Sequence, residues 1–210
     1  MTNTRTITNH QKLHNMNKVK FLVLHCTATP EGREVTTDQI EIWHRGALKN
    51  ADGTYTFLGV NYTLENLKKQ TLKLPGGKTV SADKTCGRGW RQLGYTDMFM
   101  LDGKVERLTP NNDDGFVDAW EVTNGVAGIN SISRHLVYVG GTDKEGKAKD
   151  TRTGNQLAAM VKYVHDFVRK NPDVLVAGHN QFDKKACPSF DVPTWLRQIR
   201  ISENNIYKPK

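Results

Sequence analysis

The chain has 210 residues, of which 30 are Lys or Arg and 22 are Asp or Glu, so its formal net charge is +8 at pH 7. With 37% hydrophobic and 25% charged residues, the composition excludes a low-complexity or collagen-like chain and predicts a globular protein of one domain, or at most two small ones. No stretch approaches the roughly 20 apolar residues that span a bilayer, and the polar start of the chain lacks the apolar segment of a secretory signal. We therefore expect no membrane insertion, and synthesis in the cytoplasm.

The first element along the chain is a predicted strand over residues 19–24, a β-branched and apolar run that ends at His25. Such a run is typical of a strand that is buried on both faces. A helix follows, with Thr37-Asp38 as its cap and apolar residues at roughly helical spacing up to Ala47. Residues 49–88 are rich in Gly, Asn, Thr and Lys, and their turn signals predict an insertion after the first helix that contains short strands.

Strands and helices alternate again in the second half of the chain. The capping box formed by Thr153 and Gln156 opens a helix whose apolar stripe continues to Asn171-Pro172. The chain after this helix predicts a buried strand that leads directly into Gly178-His179. In chain order, we predict strands over residues 98–101, 104–108, 136–139 and 174–177 and a last short helix over residues 194–199.

Two histidines and a cysteine form a candidate metal site. Each of two predicted apolar strands leads into a histidine, His25 or His179, and Cys187 follows the second across a polar loop. Neutral imidazoles and a thiolate are zinc ligands, and three protein ligands leave the fourth position open, as in catalytic zinc sites. This spacing alone is weak evidence, and a surface histidine beside a half-buried cysteine is the alternative. The other cysteines, Cys26 and Cys86, are interpreted as thiols or ligands.

A series of short motifs strengthens the metal hypothesis. In chain order they are Leu24-His25-Cys26-Thr27-Ala28-Thr29, Trp43-His44, Gly89-Trp90, Gly94-Tyr95, Asp102-Gly103, Asn130-Ser131-Ile132, Val139-Gly140-Gly141, Gly178-His179 and Lys185-Ala186-Cys187-Pro188-Ser189-Phe190-Asp191. In this order they resemble the zinc-dependent N-acetylmuramoyl-L-alanine amidases, and within them the branch of phage lysozyme-type amidases and peptidoglycan recognition proteins. The resemblance covers roughly residues 18–199, interrupted by the insertion.

The resemblance implies a set of site residues and a reaction. It implies that His25, His179 and Cys187 bind Zn²⁺, and that Tyr95 and Lys185 act beside the metal. Zinc lowers the pKa of a bound water towards about 7 and polarises a carbonyl, and a phenol and an ammonium can hydrogen-bond the developing oxyanion. The implied reaction is hydrolysis of the amide bond between N-acetylmuramic acid and L-alanine, with peptidoglycan or muropeptides as the binding partner.

The resemblance also implies the architecture. We expect an α/β fold, a single domain with a central mixed β-sheet flanked by helices, over residues 18–200, with the insertion at about residues 49–88. Residues 1–17 are expected to form a flexible extension and residues 201–210 a tail. Cys26 is not implied as a ligand, because successive side chains of a strand face opposite sides and Cys26 would face away from His25.

The chain departs from the family pattern at three places. Thr96-Asp97 stand where His or Asn and then an aromatic residue are usual, and Thr123-Asn124 stand in place of a His-Ala step. Ser133 replaces a Gly, and Arg134-His135 are interpreted as extra residues before the next strand. By resemblance these segments face the substrate, so we expect the changes to affect specificity more than metal binding. His135 itself, like His44, is expected to be a packing or surface residue.

Other functions stay open at this point. A peptidoglycan-binding module without catalysis is the main alternative, although family members that only bind typically lack the cysteine that is present here as Cys187. The +8 charge also fits a nucleic acid or a regulatory protein, but an anionic cell wall explains it equally, and nucleic acid is not favoured. The protein would act on the cell wall if released at lysis, or as a cytoplasmic recycling enzyme. The insertion could be a lid, a wall contact or a dimer surface, and the oligomeric state is not predicted.

Overall fold

The computed structural model describes residues 16–73, 79–82 and 87–209. Residues 1–15 and Cys86 therefore lie outside the described part of the chain. Its strands are β1 (Met16–Lys18), β2 (Phe21–Cys26), β3 (Thr29–Pro30), β4 (Leu48–Lys49), β5 (Tyr55–Phe57), β6 (Val60–Tyr62), β7 (Thr71–Lys73), β8 (Thr79–Ser81), β9 (Asp97–Phe99), β10 (Val105–Arg107), β11 (Phe116–Asp118), β12 (Ser133–Tyr138), β13 (Gly141–Thr142) and β14 (Leu175–Gly178). Its α-helices are α1 (Thr37–His44), α2 (Leu64–Leu67), α3 (Gly154–Lys170) and α4 (Val192–Gln198).

A five-stranded sheet forms the centre of the molecule, with the strand order β10-β9-β12-β2-β14. Strands β9, β12, β2 and β14 are parallel, and β10 runs antiparallel to β9 at the edge. This confirms the predicted α/β fold with a central mixed sheet. Because β2 and β14 are parallel neighbours, their carboxyl ends lie side by side, and these are the two ends from which His25 and His179 come.

The two faces of the sheet bury different layers. Leu22, Leu24 and Cys26 face a core that is completed by apolar residues of α3 and α4. The alternate residues face the other side, where Met98 and Val137 pack with Ile40 of α1. The period of two along β2 therefore places His25 on the α1 side of the sheet and Cys26 on the α3 side.

Helix α3 has the start and the end that its sequence predicts. Thr153 is its N-cap, and a capping box joins the side chains of Thr153 and Gln156 to each other's backbone amides. Gln156 is fully buried, and its Nε2 also donates to the carbonyl oxygens of Phe99 and Val139, both at 3.0 Å. One amide side chain thus caps the helix and anchors it to the sheet.

Three sequence predictions are corrected at their boundaries. Strand β2 ends at Cys26, so His25 lies within the strand rather than just beyond it. Helix α1 has Thr36 as its N-cap, in a capping box with Gln39, one residue earlier than predicted. Arg134-His135 are not extra residues before a strand, because β12 begins at Ser133 and pairs with β2 along its whole length.

The insertion after α1 forms short antiparallel sheets, β4-β5-β6 and β7-β8, with α2 between them. Tyr55, Phe57 and Leu67 bury a small core that includes Ile42 of α1. The chain returns at Gly87, whose backbone lies so close to the end of α1 that a Cβ there would be 2.2 Å from the Ile42 carbonyl oxygen. The insertion is therefore packed on the helix that precedes it.

Both ends of the described chain contact the domain. Strand β1 pairs antiparallel with β11. Ile206 is buried in the main core, and the ring of Tyr207 stacks on that of Phe182 at 4.7 Å. The expected limits of the domain, residues 18 and 200, stay a prediction. Among the described residues, none of the helices has the length and apolar character that crossing a membrane requires.

Candidate metal centre

The structure brings His25, His179 and Cys187 together at the carboxyl ends of β2 and β14. His25 is the penultimate residue of β2, and it is 1% exposed. His179 is the first residue after β14 and begins a 3₁₀ turn. Cys187 follows on a loop that is held to this turn by a hydrogen bond from the Asn180 amide to the Cys187 carbonyl, at 2.7 Å.

The donor atoms of the three side chains fit a single cation. They all lie within 4.8 Å of one another, and Cys187 Sγ is 3.7 Å from His25 Nδ1. A tetrahedral zinc ion with Zn–N of about 2.1 Å and Zn–S of about 2.3 Å would hold its nitrogen and sulfur ligands about 3.6 Å apart. Among the described residues this is the one group of three or more His, Cys, Asp or Glu side chains that could hold a metal.

The protein keeps the imidazoles of this group in the neutral form that binds metals. Burial, together with the neighbouring His135 and His179 imidazoles, holds the pKa of His25 well below its usual value. Burial also lowers the pKa of His179, helped by the Lys185 ammonium. The adjacent Cys26 thiol and burial raise the pKa of Cys187. A cation bound here would therefore displace the thiol proton, as thiolate ligation requires.

Cys26 does not point at the metal centre, as its place on the strand predicts. Its side chain is buried on the α3 side, 3.6 Å from Ser189 Oγ. Its backbone amide instead donates to Cys187 Sγ, at 3.3 Å. Cys26 thus contributes a main-chain hydrogen bond to the candidate ligand, which any residue except proline could supply.

Tyr95 and Lys185 lie on two sides of the centre. The ring of Tyr95 is 5.2 Å from that of His25, and burial raises the pKa of its phenol, so that it stays a hydrogen-bond donor at neutral pH. Lys185 is exposed, and its ammonium forms a 2.8 Å ion pair with Asp183. The resemblance implied that both residues act beside a metal. In the structure, the Tyr95 ring lies near His25, and Lys185 is close enough to His25 and His179 to lower their pKa values.

An open groove of about 430 Å³ runs beside His179. One wall is formed by Arg88 and Trp90, whose guanidinium and ring are 5.1 Å apart. Asn124, Asn130 and Lys185 also line the groove, and they contribute two amides and an ammonium. Arg88 and Trp90 therefore line the same groove as the candidate ligand His179.

Neither Thr96 nor Asp97 faces this groove, because both are buried elsewhere in the sheet. Thr96 Oγ1 accepts a hydrogen bond from the His135 amide at 3.2 Å, on the inside of the sheet. Asp97 is 1% exposed and bonds to Arg107 and to the Tyr163 hydroxyl, both at 2.6 Å. The expectation that these two residues face the substrate is therefore wrong, because the pleat turns the Asp97 carboxylate towards α3.

Sequence reasoning missed the role of His135. This residue is fully buried on β12, and its Nδ1 lies 3.0 Å from His25 Nε2. It is thus neither a surface residue nor ordinary packing. The sequence did contain a signal for this position. His135, Val137 and Val139 are two residues apart, so they share one face once the strand is known to begin at Ser133.

Comparison with known proteins gives relatives in sequence and in fold. No protein-family model matches the chain. The endolysin of Enterobacteria phage K11 is 31% identical over 110 residues, a match that covers 52% of this chain and 68% of that endolysin.

Two insect proteins share the fold. Drosophila peptidoglycan recognition protein LB, solved as a mutant in complex with tracheal cytotoxin, is similar with a TM-score of 0.52 at 13% identity. That similarity covers 92% of this chain and 88% of that one. Drosophila peptidoglycan recognition protein SA is similar with a TM-score of 0.50 at 12% identity, over 93% of this chain and 87% of that one.

Proposed function

This chain belongs to the phage endolysins, and we propose that it is a peptidoglycan hydrolase of the type that comprises amidases and peptidoglycan recognition proteins. From this membership we propose that it is a zinc-dependent N-acetylmuramoyl-L-alanine amidase. It hydrolyses the amide bond between N-acetylmuramic acid and the L-alanine of the stem peptide, and it acts on the cell wall after release at lysis.

One observation carries this proposal: two neutral imidazoles and a thiol converge within 4.8 Å at the open end of the sheet. His25, His179 and Cys187 would hold the metal. Three protein ligands are the number found in catalytic zinc sites, whereas structural sites have four. When bound there, zinc supplies Lewis-acid polarisation of the scissile carbonyl and an activated water at neutral pH.

The chain's own residues would stabilise the charge that develops on the carbonyl oxygen. Tyr95 stays protonated and donates from its hydroxyl, on the side of His25. Lys185 donates from its ammonium once it leaves Asp183, with which it is paired at 2.8 Å. Each such donor contributes about 3 kcal/mol to transition-state stabilisation in well-studied hydrolases. The ammonium can also pass a proton to the leaving amine.

The groove beside His179 supports the substrate assignment. Its amides, the Trp90 ring and the basic side chains suit a ligand that combines a sugar, peptide bonds and carboxylates. The net charge of +8 favours approach to an anionic cell wall through long-range attraction.

The test is mass spectrometry of purified peptidoglycan after incubation with the protein, with and without a zinc chelator. We expect free stem peptides with an L-alanine amino terminus, which disappear under the chelator and return when zinc is added. Lys185→Ala provides a matched variant, because its exposed side chain can be removed without disturbing the core, and we expect slower release at unchanged zinc content.

Two results would contradict the proposal. Release of glycan fragments in place of peptides would indicate cleavage of the sugar backbone. Zinc bound at the site without any release of peptides would favour the alternative, a module that binds peptidoglycan without hydrolysing it.

A further inference from the structure

We propose that His135 is a positioning residue that fixes the orientation and the tautomer of His25, so that His25 presents Nδ1 to the metal. This inference rests on the proposed zinc site. It concerns a residue on β12, the strand beside β2, that makes no contact with the other two candidate ligands in the described hydrogen bonds.

The geometry joins the two rings through one atom pair. His25 Nε2 is 3.0 Å from His135 Nδ1, and His25 Nδ1 is 3.7 Å from Cys187 Sγ. The two nitrogens of His25 therefore have different neighbours, a histidine on one side and the candidate ligand set on the other. Only Nδ1 is placed to bind a metal that Cys187 also binds.

The proton of the neutral His25 ring must then lie on Nε2. A neutral imidazole has one N–H and one lone pair, and metal binding needs the lone pair. If His135 Nδ1 accepts the hydrogen bond, His25 Nε2 carries the proton and Nδ1 is free for the metal. Histidine ligands of metals generally donate their other N–H to a carboxylate, a carbonyl or a water, which fixes the ring. Here an imidazole nitrogen takes that place.

The fold holds the acceptor ring firmly. His135 is 0% exposed. Its carbonyl oxygen accepts a hydrogen bond from the Thr96 amide at 2.7 Å, and its own amide donates to Thr96 Oγ1 at 3.2 Å. The backbone of Gly125 lies against the ring, where a Cβ would be 2.1 Å from His135 Nδ1. The absence of a side chain at residue 125 is thus a condition for the ring to reach His25.

His135 therefore occupies space that is open because residue 125 is a glycine. In the present chain, the imidazole that contacts His25 comes from β12.

Zinc affinity of purified variants, measured by competition with a chromophoric chelator, tests the inference without relying on activity. His135→Leu removes the acceptor, and we expect about 10- to 100-fold weaker zinc binding, the usual effect of losing such a partner. His135→Asn places an amide oxygen the same number of bonds from Cα as the Nδ1 atom of histidine. We therefore expect this variant to keep most of the wild-type zinc affinity. Circular dichroism confirms that each variant is folded.

Leu136→Ala is the matched control, because Leu136 is the next residue of β12, is 1% exposed and faces the opposite core. It loosens the same strand without touching His25, and we expect it to bind zinc as the wild type does.

Three results would overturn the inference and leave the proposed function standing: wild-type affinity in His135→Leu, a loss in His135→Asn as large as in His135→Leu, or an equal loss in Leu136→Ala. A wild-type protein that binds no zinc would instead remove both proposals.

Discussion

Two regions of the central sheet bury polar side chains, and they differ in how these are satisfied. Along β9 and β12, Asp97 accepts hydrogen bonds from Arg107 and Tyr163, and Glu121 forms a 2.8 Å ion pair with Arg134. We call these five residues the ion-pair network. Each carboxylate in it meets a cation or a hydroxyl of the same chain, so the charges are balanced internally.

The candidate metal centre, whose His25 faces the other side of the sheet, has no such balance. His25, His179 and Cys187 all present lone pairs or an acidic proton to one point, and none of them is paired with a carboxylate within the described ion pairs. Lone-pair donors that converge at a buried or half-buried point without a counterpart fit the proposed external cation, whereas complementary partners fit a structural role. The comparison separates function from stability within one sheet.

The largest effect that we expect is at the metal centre. Cys187→Ala removes the thiolate ligand and should abolish both zinc binding and the release of stem peptides. Cys26→Ala should keep both, because the backbone amide that donates to Cys187 Sγ remains in the variant and the Cys26 thiol is not one of the three converging ligands. Zinc content by elemental analysis and peptide release by mass spectrometry check this pair. Equal metal content in the two variants would contradict the ligand assignment.

The ion-pair network should respond in stability rather than in metal binding. Glu121→Ala leaves the buried Arg134 without its partner, and the free energy of unfolding should fall by about 3–5 kcal/mol. Urea unfolding measures this change. The control is Glu65→Ala, which breaks an exposed pair with Lys69 and should change stability by less than about 1 kcal/mol. A loss of zinc affinity in folded Glu121→Ala would show that the two regions are coupled.

A pair of half-buried tyrosines sharpens the contrast. Tyr95→Phe removes the donor beside His25 and should lower kcat by about 10²- to 10³-fold at unchanged zinc content. Tyr163→Phe removes a hydroxyl that bonds to Asp97 in the ion-pair network, and should lower stability while kcat is kept. Similar kcat values for the two variants would argue against a role for Tyr95 in the reaction.

The smallest effect concerns pH. Burial, with a contribution from Arg88, lowers the pKa of His44 to about 4, and its Nδ1 accepts from the Gly94 amide at 3.1 Å. Because this pKa lies below the unfolded value of about 6.5, the unfolded chain takes up the proton first. Stability from this group is therefore complete above pH of about 6.5 and is lost as the pH falls towards 4.

His44→Asn tests this, because its amide oxygen can still accept from Gly94 but does not titrate. We expect a weaker decrease of the unfolding free energy between pH 7 and pH 4.5 than in the wild type, measured by urea unfolding. An equal decrease in both proteins would assign the pH dependence to other groups.

Much of the fold was predictable because its signals are local. The capping box at Thr153 and the proline after Asn171 set the limits of α3, and the apolar runs before His25 and His179 marked β2 and β14. The motifs around these residues also predicted the candidate ligand set.

The sequence by itself thus determined which side chains could hold a metal, since imidazoles and a thiolate after buried strands carry that chemistry wherever they meet. Only the tertiary structure decided what surrounds them. β12 begins with the polar residues Ser133 to His135, which carry no local strand signal and become a strand by pairing with β2. That pairing joins residues more than a hundred positions apart and places His135 beside His25, while the pairing of β9 with β12 directs Asp97 to the opposite face.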